Sequence, residues 1–163
     1  MCLAGIWATA AFPQSTSLGC NLEPAAGTSR HVLHCQGGIK ITAEWGARYS
    51  LADRDGDGHA DGIILRWKAL LLEVPKKQTS GFVVITPQAI AAVRGTKWAV
   101  DVQGGKTAVF VVQGRVGVRR PSSNASVLLG QGEGVDVERE TGPLIVKRWP
   151  MARASALMGR LGE

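Results

Sequence analysis

The sequence is poor in aromatic residues, with one Tyr, three Phe and five Trp among 163 positions. It holds only three cysteines, too few for a disulfide-dense miniature scaffold. Beyond the first dozen residues nothing approaches the ~18 consecutive apolar residues of a membrane-spanning helix, so no transmembrane segment is expected. There is no run of basic residues and no Lys/Arg tract interleaved with aromatics. The net charge of +6 is spread along the chain. A nucleic-acid groove therefore lacks its footprint, and no nucleic-acid partner is expected. No serine stands in a nucleophile elbow. The glycines between Gly130 and Gly134 lack the strand–loop–helix setting of a phosphate-binding loop. With three histidines and scattered glutamates, no catalytic residue can be assigned, and the expectation is that the protein is not an enzyme.

What is present points to strands. Gly is abundant, at 21 residues, and β-branched residues are common, a profile of short strands joined by glycine turns. The length suits one domain with a real core. "HVLHC", His31 to Cys35, reads as a short strand. "GIKITAEW" alternates, with Ile39, Ile41 and Ala43 on one face and Lys40, Thr42 and Glu44 on the other. "GIILRWKALLLEV", Gly62 to Val74, reads as one or two strands. "FVVITP" is a strand stopped by proline. "AIAAVRGTKWAVDV" places Trp98, Val100 and Val102 on one face. "KTAVFVVQGRVGVRR" is two pieces interrupted by Gly114, and "NASVLLGQGEGVDVE" repeats the pattern. Glycine punctuation every 8–12 residues or so predicts an all-β sheet pair, barrel or solenoid. The end differs. "PMARASALMGRLG" places Pro150 at a first helical position and Ala154, Leu157, Met158 and Leu161 at helical spacing, which predicts a short amphipathic helix lying over the sheet.

The start is read separately. "MCLAGIWATAAFP" has the length and apolarity of a signal-peptide core, and Ala8-Thr9-Ala10 is a small-x-small cleavage pattern. The basic leader is missing, as a start codon assigned too late would leave it. The alternative is a buried first strand. Residues 1–10 are therefore read as a signal-peptide remnant, 11–36 as a lead-in with a cysteine pair, 37–142 as the β domain and 143–163 as a tail with a helix. Ser15 to Ser29 reads as irregular. An exported chain would lose Cys2, leaving Cys20 and Cys35 as a pair for a disulfide. "RHVLHC" also sets His31 and His34 beside Cys35, but at no common zinc spacing. "SLGC" before Cys20 resembles a lipidation box without its aliphatic residue.

One stretch carries metal chemistry. "DRDGDGHADG", Asp53 to Gly62, places Asp53, Asp55 and Asp57 at positions 1, 3 and 5 of a calcium loop, with Gly58 at 6. His59 would offer its carbonyl at 7, and Asp61 stands at 9. Position 12 is Ile64, so the closing ligand would be water or a remote acid such as Glu73. An incomplete set of this kind predicts a weak Ca²⁺ site, at about 10⁻⁴–10⁻³ M. The alternative is an Asp-Gly hairpin turn with no ion.

The second half resembles the FecR domain family. The residues that carry the likeness are Thr86-Pro87, Arg94-Gly95-Thr96 ahead of Trp98, the "V-x-x-G-x-V" turn around Gly114, and a late "L-x-x-G-E" ending in Gly132 and Glu133. The likeness is sharpest from Phe82 to Val137 and looser from Ile39 to Val74. It implies an extracytoplasmic all-β domain, a twisted β-solenoid or a two-sheet arrangement. In the best-known members this domain relays the state of an outer-membrane receptor to a sigma factor. Those members place a cytoplasmic segment and a membrane helix ahead of the domain, and neither reads here. The expectation is thus a non-catalytic, periplasmic or secreted bacterial module that binds an envelope protein, an outer-membrane receptor or membrane protein. Two alternatives stand beside it: a passive structural envelope protein, or a hydrolase using the His31/His34 region.

Overall fold

A computed structural model describes residues 18–24, 30–77, 81–140 and 142–163. The signal-peptide reading of residues 1–10 falls outside the described residues. The fold is all-β with one C-terminal helix, as the sequence predicts. Its spine is β5 (Gly62–Val74). Alternation along this strand breaks at Arg66 and Trp67, and Lys68 takes a left-handed backbone, φ 65°. The strand is bent there and belongs to two sheets, so the reading as "one or two strands" holds in both senses.

The first sheet runs β1 (Cys20–Pro24), β2 (Arg30–Cys35), β3 (Ile39–Glu44), the second half of β5, β8 (Thr96–Gln103), β9 (Lys106–Gln113), β12 (Glu133–Val137) and the two-residue β13 (Lys147–Arg148). The second sheet runs β4 (Arg48–Ala52), the first half of β5, β6 (Phe82–Ile85), β7 (Ile90–Val93), β10 (Val116–Arg119) and β11 (Ser126–Leu129). All neighbours are antiparallel except β5 and β6. Because one strand serves both sheets, the whole curls into a half-barrel.

Side-chain alternation divides each strand between two environments. The inward set, including Ile41, Ile63, Leu65, Phe82, Val84, Trp98, Val109 and Val116, forms the main core between the sheets. The outer face of the first sheet carries a second cluster of Leu71, Ala99, Phe110 and Trp149. It is closed by Leu157 and Leu161 of α1 (Met151–Leu161), so the predicted helix is indeed a lid. Pro150 is the cap residue ahead of the helix, one position before the first helical place the sequence reading gave it, because its backbone is extended, and the helix ends at a left-handed Gly162.

One reading is corrected. Within Ser15–Ser29, Cys20–Pro24 is a strand, paired in register with β2. Cys20 and Leu22 face the core while Asn21 and Glu23 are exposed, but so short an alternation beside Pro24 is a weak local signal, and it is pairing that makes the strand. Arg48–Ala52, just ahead of the acidic loop, is also a strand, held by the first half of β5.

Candidate functional site

The acidic loop joins β4 to β5. Its backbone winds so that N–H groups point at its own carboxylates. Asp53 Oδ1 accepts from Gly56 N (2.7 Å) and Oδ2 from Gly58 N (3.0 Å). Asp55 Oδ1 accepts from Asp57 N at 3.3 Å, and Asp57 Oδ1 from His59 N at 2.8 Å. Asp61 Oδ1 accepts from Arg54 N at 3.0 Å, tying the loop's end to its beginning. These bonds bring carboxylate oxygens of Asp53, Asp55 and Asp57 within 4.8 Å of one another. Hydrogen bonds to the ionised form favour it, and the N–H of Gly58, then those of Gly56 and Asp57, hold the Asp53 carboxyl below its ordinary range. Three clustered carboxylates suit the hard oxygen donors that calcium takes. Glu73 does not complete them. It lies at the far end of β5 and pairs with Lys40 at 3.2 Å, because the β3–β5 register sets these two opposite.

The loop is also docked. Ala60 N donates to Leu18 O (2.9 Å), Gln36 N donates to Gly19 O (3.1 Å), and the His59 ring stands against Gly19. Next to this corner, Cys20 and Cys35 face each other across β1 and β2 and form the predicted disulfide. The bond removes Cys35 as a zinc thiolate and Cys20 as a lipidation site in this state. His34 Nε2 pairs with exposed Glu23 at 2.8 Å. His31 packs edge-on against Trp45, 5.7 Å between centroids. The structure thus gives each of the two histidines a surface partner and does not join them into a constellation with the loop.

The motif residues shared with the FecR family sit in turns. Thr86 and Pro87 open the β6–β7 connection. Buried Thr86 Oγ1 accepts from Ala89 N (2.9 Å) and is hydrogen-bonded to Thr107 Oγ1 (2.7 Å), which donates to Gln88 Oε1 (2.9 Å). Gly95, between Arg94 and Thr96, has φ 60°, and a Cβ there would stand 2.5 Å from Lys76 Cγ. Gly114, φ 96°, lies against Gly95, and its Cβ would come 2.8 Å from Gly95 O and from Thr96 Cγ2. Only glycine permits two turns to meet this closely. Thr96 Oγ1 donates to Arg94 O at 3.0 Å, binding the same corner. Trp98 is wholly buried. Gly132 lies in the β11–β12 turn, whose Gly130 N donates to Glu133 Oε2 at 2.7 Å. The motif is turn and core chemistry.

The lid is held by charge that sequence reasoning did not find. Arg160 donates to both Asp101 oxygens (2.6 and 3.1 Å) and both Glu44 oxygens (3.1 and 2.6 Å). Glu44 Oε2 also accepts from Ala69 N, just past the bend in β5. The two carboxylates raise the Arg160 pKa further, Asp101 first. Arg153 pairs with Asp136 and lies 3.6 Å over the Trp149 ring.

A lidded β half-barrel whose signature residues are spent on turns defines a scaffold class rather than a reaction. Residues 48–117 match the family model described as FecR protein, in line with the likeness read from the sequence. That stretch starts at β4, crosses the bend and ends in β10. It takes in the acidic loop and leaves out Gly132 and Glu133. No curated protein sequence matches the chain. Among solved structures, two crystal structures of a proposed anti-sigma factor from Parabacteroides distasonis share the fold, with TM-score 0.64 and 18% identity. The match covers 88% of this chain and 64% of that one.

Proposed function

We propose that this protein is an exported, non-catalytic FecR module that recognises another protein of the bacterial envelope in a signalling role. The observation that carries the reading is the FecR match across the sheet junction, in a fold shared with a proposed anti-sigma factor. The cysteine pair joined across β1 and β2 supports an oxidising compartment. The exposed His34–Glu23 pair offers the hydrolase alternative no partner from the acidic loop.

The test is crosslinking of the full chain in intact cells, followed by identification of what is captured. Reproducible capture of one receptor or membrane protein supports the reading. Turnover of a substrate that His34→Ala removes, with nothing captured, overturns it. Export is checked by fusing the N-terminal segment to a reporter active only outside the cytoplasm; a silent reporter overturns that part.

A further inference from the structure

The two sheets treat their outer faces differently. The outer face of the first sheet is covered by α1. On the second sheet the inward residues Ile63, Leu65, Phe82, Val84, Ala91 and Val118 enter the core, and their outward neighbours enter neither cluster. Those neighbours are nonetheless apolar. One row across the strands reads Ser50, Ile64, Ile85, Ile90 and Arg119. The next reads Ala52, Gly62, Val83, Ala92, Gly117 and Leu128. The isoleucines form a ridge beside a shallow trough of small residues, with Leu128 at its end, 60% exposed. Trp67, 44% exposed, lies beside the bend with Arg48 and Arg66, bordering one hollow.

The charge on this face has one sign. No Asp or Glu stands on any strand of the second sheet, whereas Arg48, Arg66 and Arg119 do. The strand carboxylates, among them Glu44, Glu73, Asp101 and Asp136, belong to the first sheet. An acidic loop closes one end of β4 and β5, but its carboxylates are turned to its own backbone N–H groups.

We infer that this outer face docks an acidic segment with an apolar stripe, belonging to the partner protein of the preceding proposal, on which the inference rests. Complementary charge selects partner and orientation, and the ridge and trough supply the contact area. Trp and Arg at the bend are the residue types that dominate interface energetics. A second copy presenting the same face would bring like charges together. A bilayer is a poorer fit, because Ile64, Ile85 and Ile90 are only partly exposed and an interfacial segment must bury its apolar face some 5–10 Å deep.

The experiment places a photo-crosslinking amino acid at Ala92 or Leu128 on this face, and at Ala152 or Ser155 on exposed α1, in the full chain in living cells. Crosslinked peptides are then sequenced. The expected result is capture from Ala92 and Leu128 of a net-acidic peptide from another protein, reduced about tenfold by the Arg66→Glu/Arg119→Glu pair, with circular dichroism unchanged. Capture only from α1 overturns this surface and leaves the module reading standing. So does a neutral or basic captured peptide, a peptide from this chain itself, or binding to phosphatidylglycerol vesicles with no protein captured at the face. Silence at all four positions overturns both.

Discussion

At the scale of single residues, Asp53 and Gly114 show how backbone geometry sets chemistry. The Asp53 carboxyl lies below the ordinary aspartate range, held there first by the Gly58 N–H. A depressed carboxyl pKa contributes stability above the unfolded-state value, and that contribution is lost as pH falls through the folded one. Carbon-detected NMR titration should therefore place the Asp53 midpoint below those of unrestrained aspartates, and the loop amides of Gly56 and Gly58 should shift in step with it. A midpoint at the ordinary value means the loop does not hold its carboxylate. The same cluster carries the calcium expectation. With affinity of about 10⁻⁴–10⁻³ M, 10 mM calcium would add about 1.4–2.7 kcal/mol. Calorimetry should show a rise of several degrees that Asp57→Ala abolishes; no rise, or a rise unchanged in the variant, makes the stretch a turn alone. Gly114→Ala tests the motif. With φ 96° and Gly95 O 2.8 Å from the added Cβ, the cost is expected to exceed the ~1 kcal/mol typical of glycine replacement where φ is positive. Chemical denaturation measures it, and Gly104→Ala, where φ is also positive but the space is open, separates clash from strain.

At the scale of elements, what was legible depended on whether the signal was local. β3, β6, β8 and β9 alternate or run apolar between glycines, and their burial follows the sequence pattern. β1 and β4 also alternate, with Leu22, Tyr49 and Leu51 against the core, but over five residues each, too short a pattern to stand out from a loop without the partner strands. The aspartates of the loop were readable because ligand spacing is local. The proposed role of Glu73 was not, because its neighbour is set by the β3–β5 register, which no short stretch encodes. The uncovered face was hidden for a related reason. "GIIL", "FVVI" and "IAAV" are apolar in both phases, which in sequence looks like a strand covered on both sides. The lid shows the reverse. Leu157 and Leu161 were readable from helical spacing, but Arg160 was not, since Glu44 and Asp101 meet it from two other strands. Removing one partner of a shielded charge pair leaves the others uncompensated. Arg160→Ala is thus expected to cost more than a surface ion pair, whose worth is at most ~1 kcal/mol. Hydrogen exchange should show α1 and Ala69 loosening together, because Glu44 serves both. Exchange that changes in α1 alone would mean the Glu44–Ala69 bond stands without Arg160.

At the scale of the whole molecule, the Cys20–Cys35 bond does more than close a hairpin. It fixes β1 on β2, and β1 is preceded by Leu18 and Gly19, which receive the end of the acidic loop through Ala60 N and the His59 ring. The loop therefore sits between two anchors, the β4–β5 ends and the disulfide corner. In the chain-entropy account, a loop of this size closed by a disulfide is worth about 3 kcal/mol, and that term acts on the unfolded chain wherever the loop lies. The anchoring adds a native-state effect that entropy alone does not contain. Replacing both cysteines by serine should lower stability by about that amount in denaturant titrations. It should also weaken calcium binding, because the carboxylates would lose one of the walls that hold them together. Calorimetry of the two proteins across a calcium series separates the terms. A uniform fall in melting temperature with an unchanged calcium midpoint would show that the disulfide acts only on the unfolded chain. A midpoint moved to higher calcium is the expected result, and it would make the corner of β1 and β2 a structural support of the acidic loop.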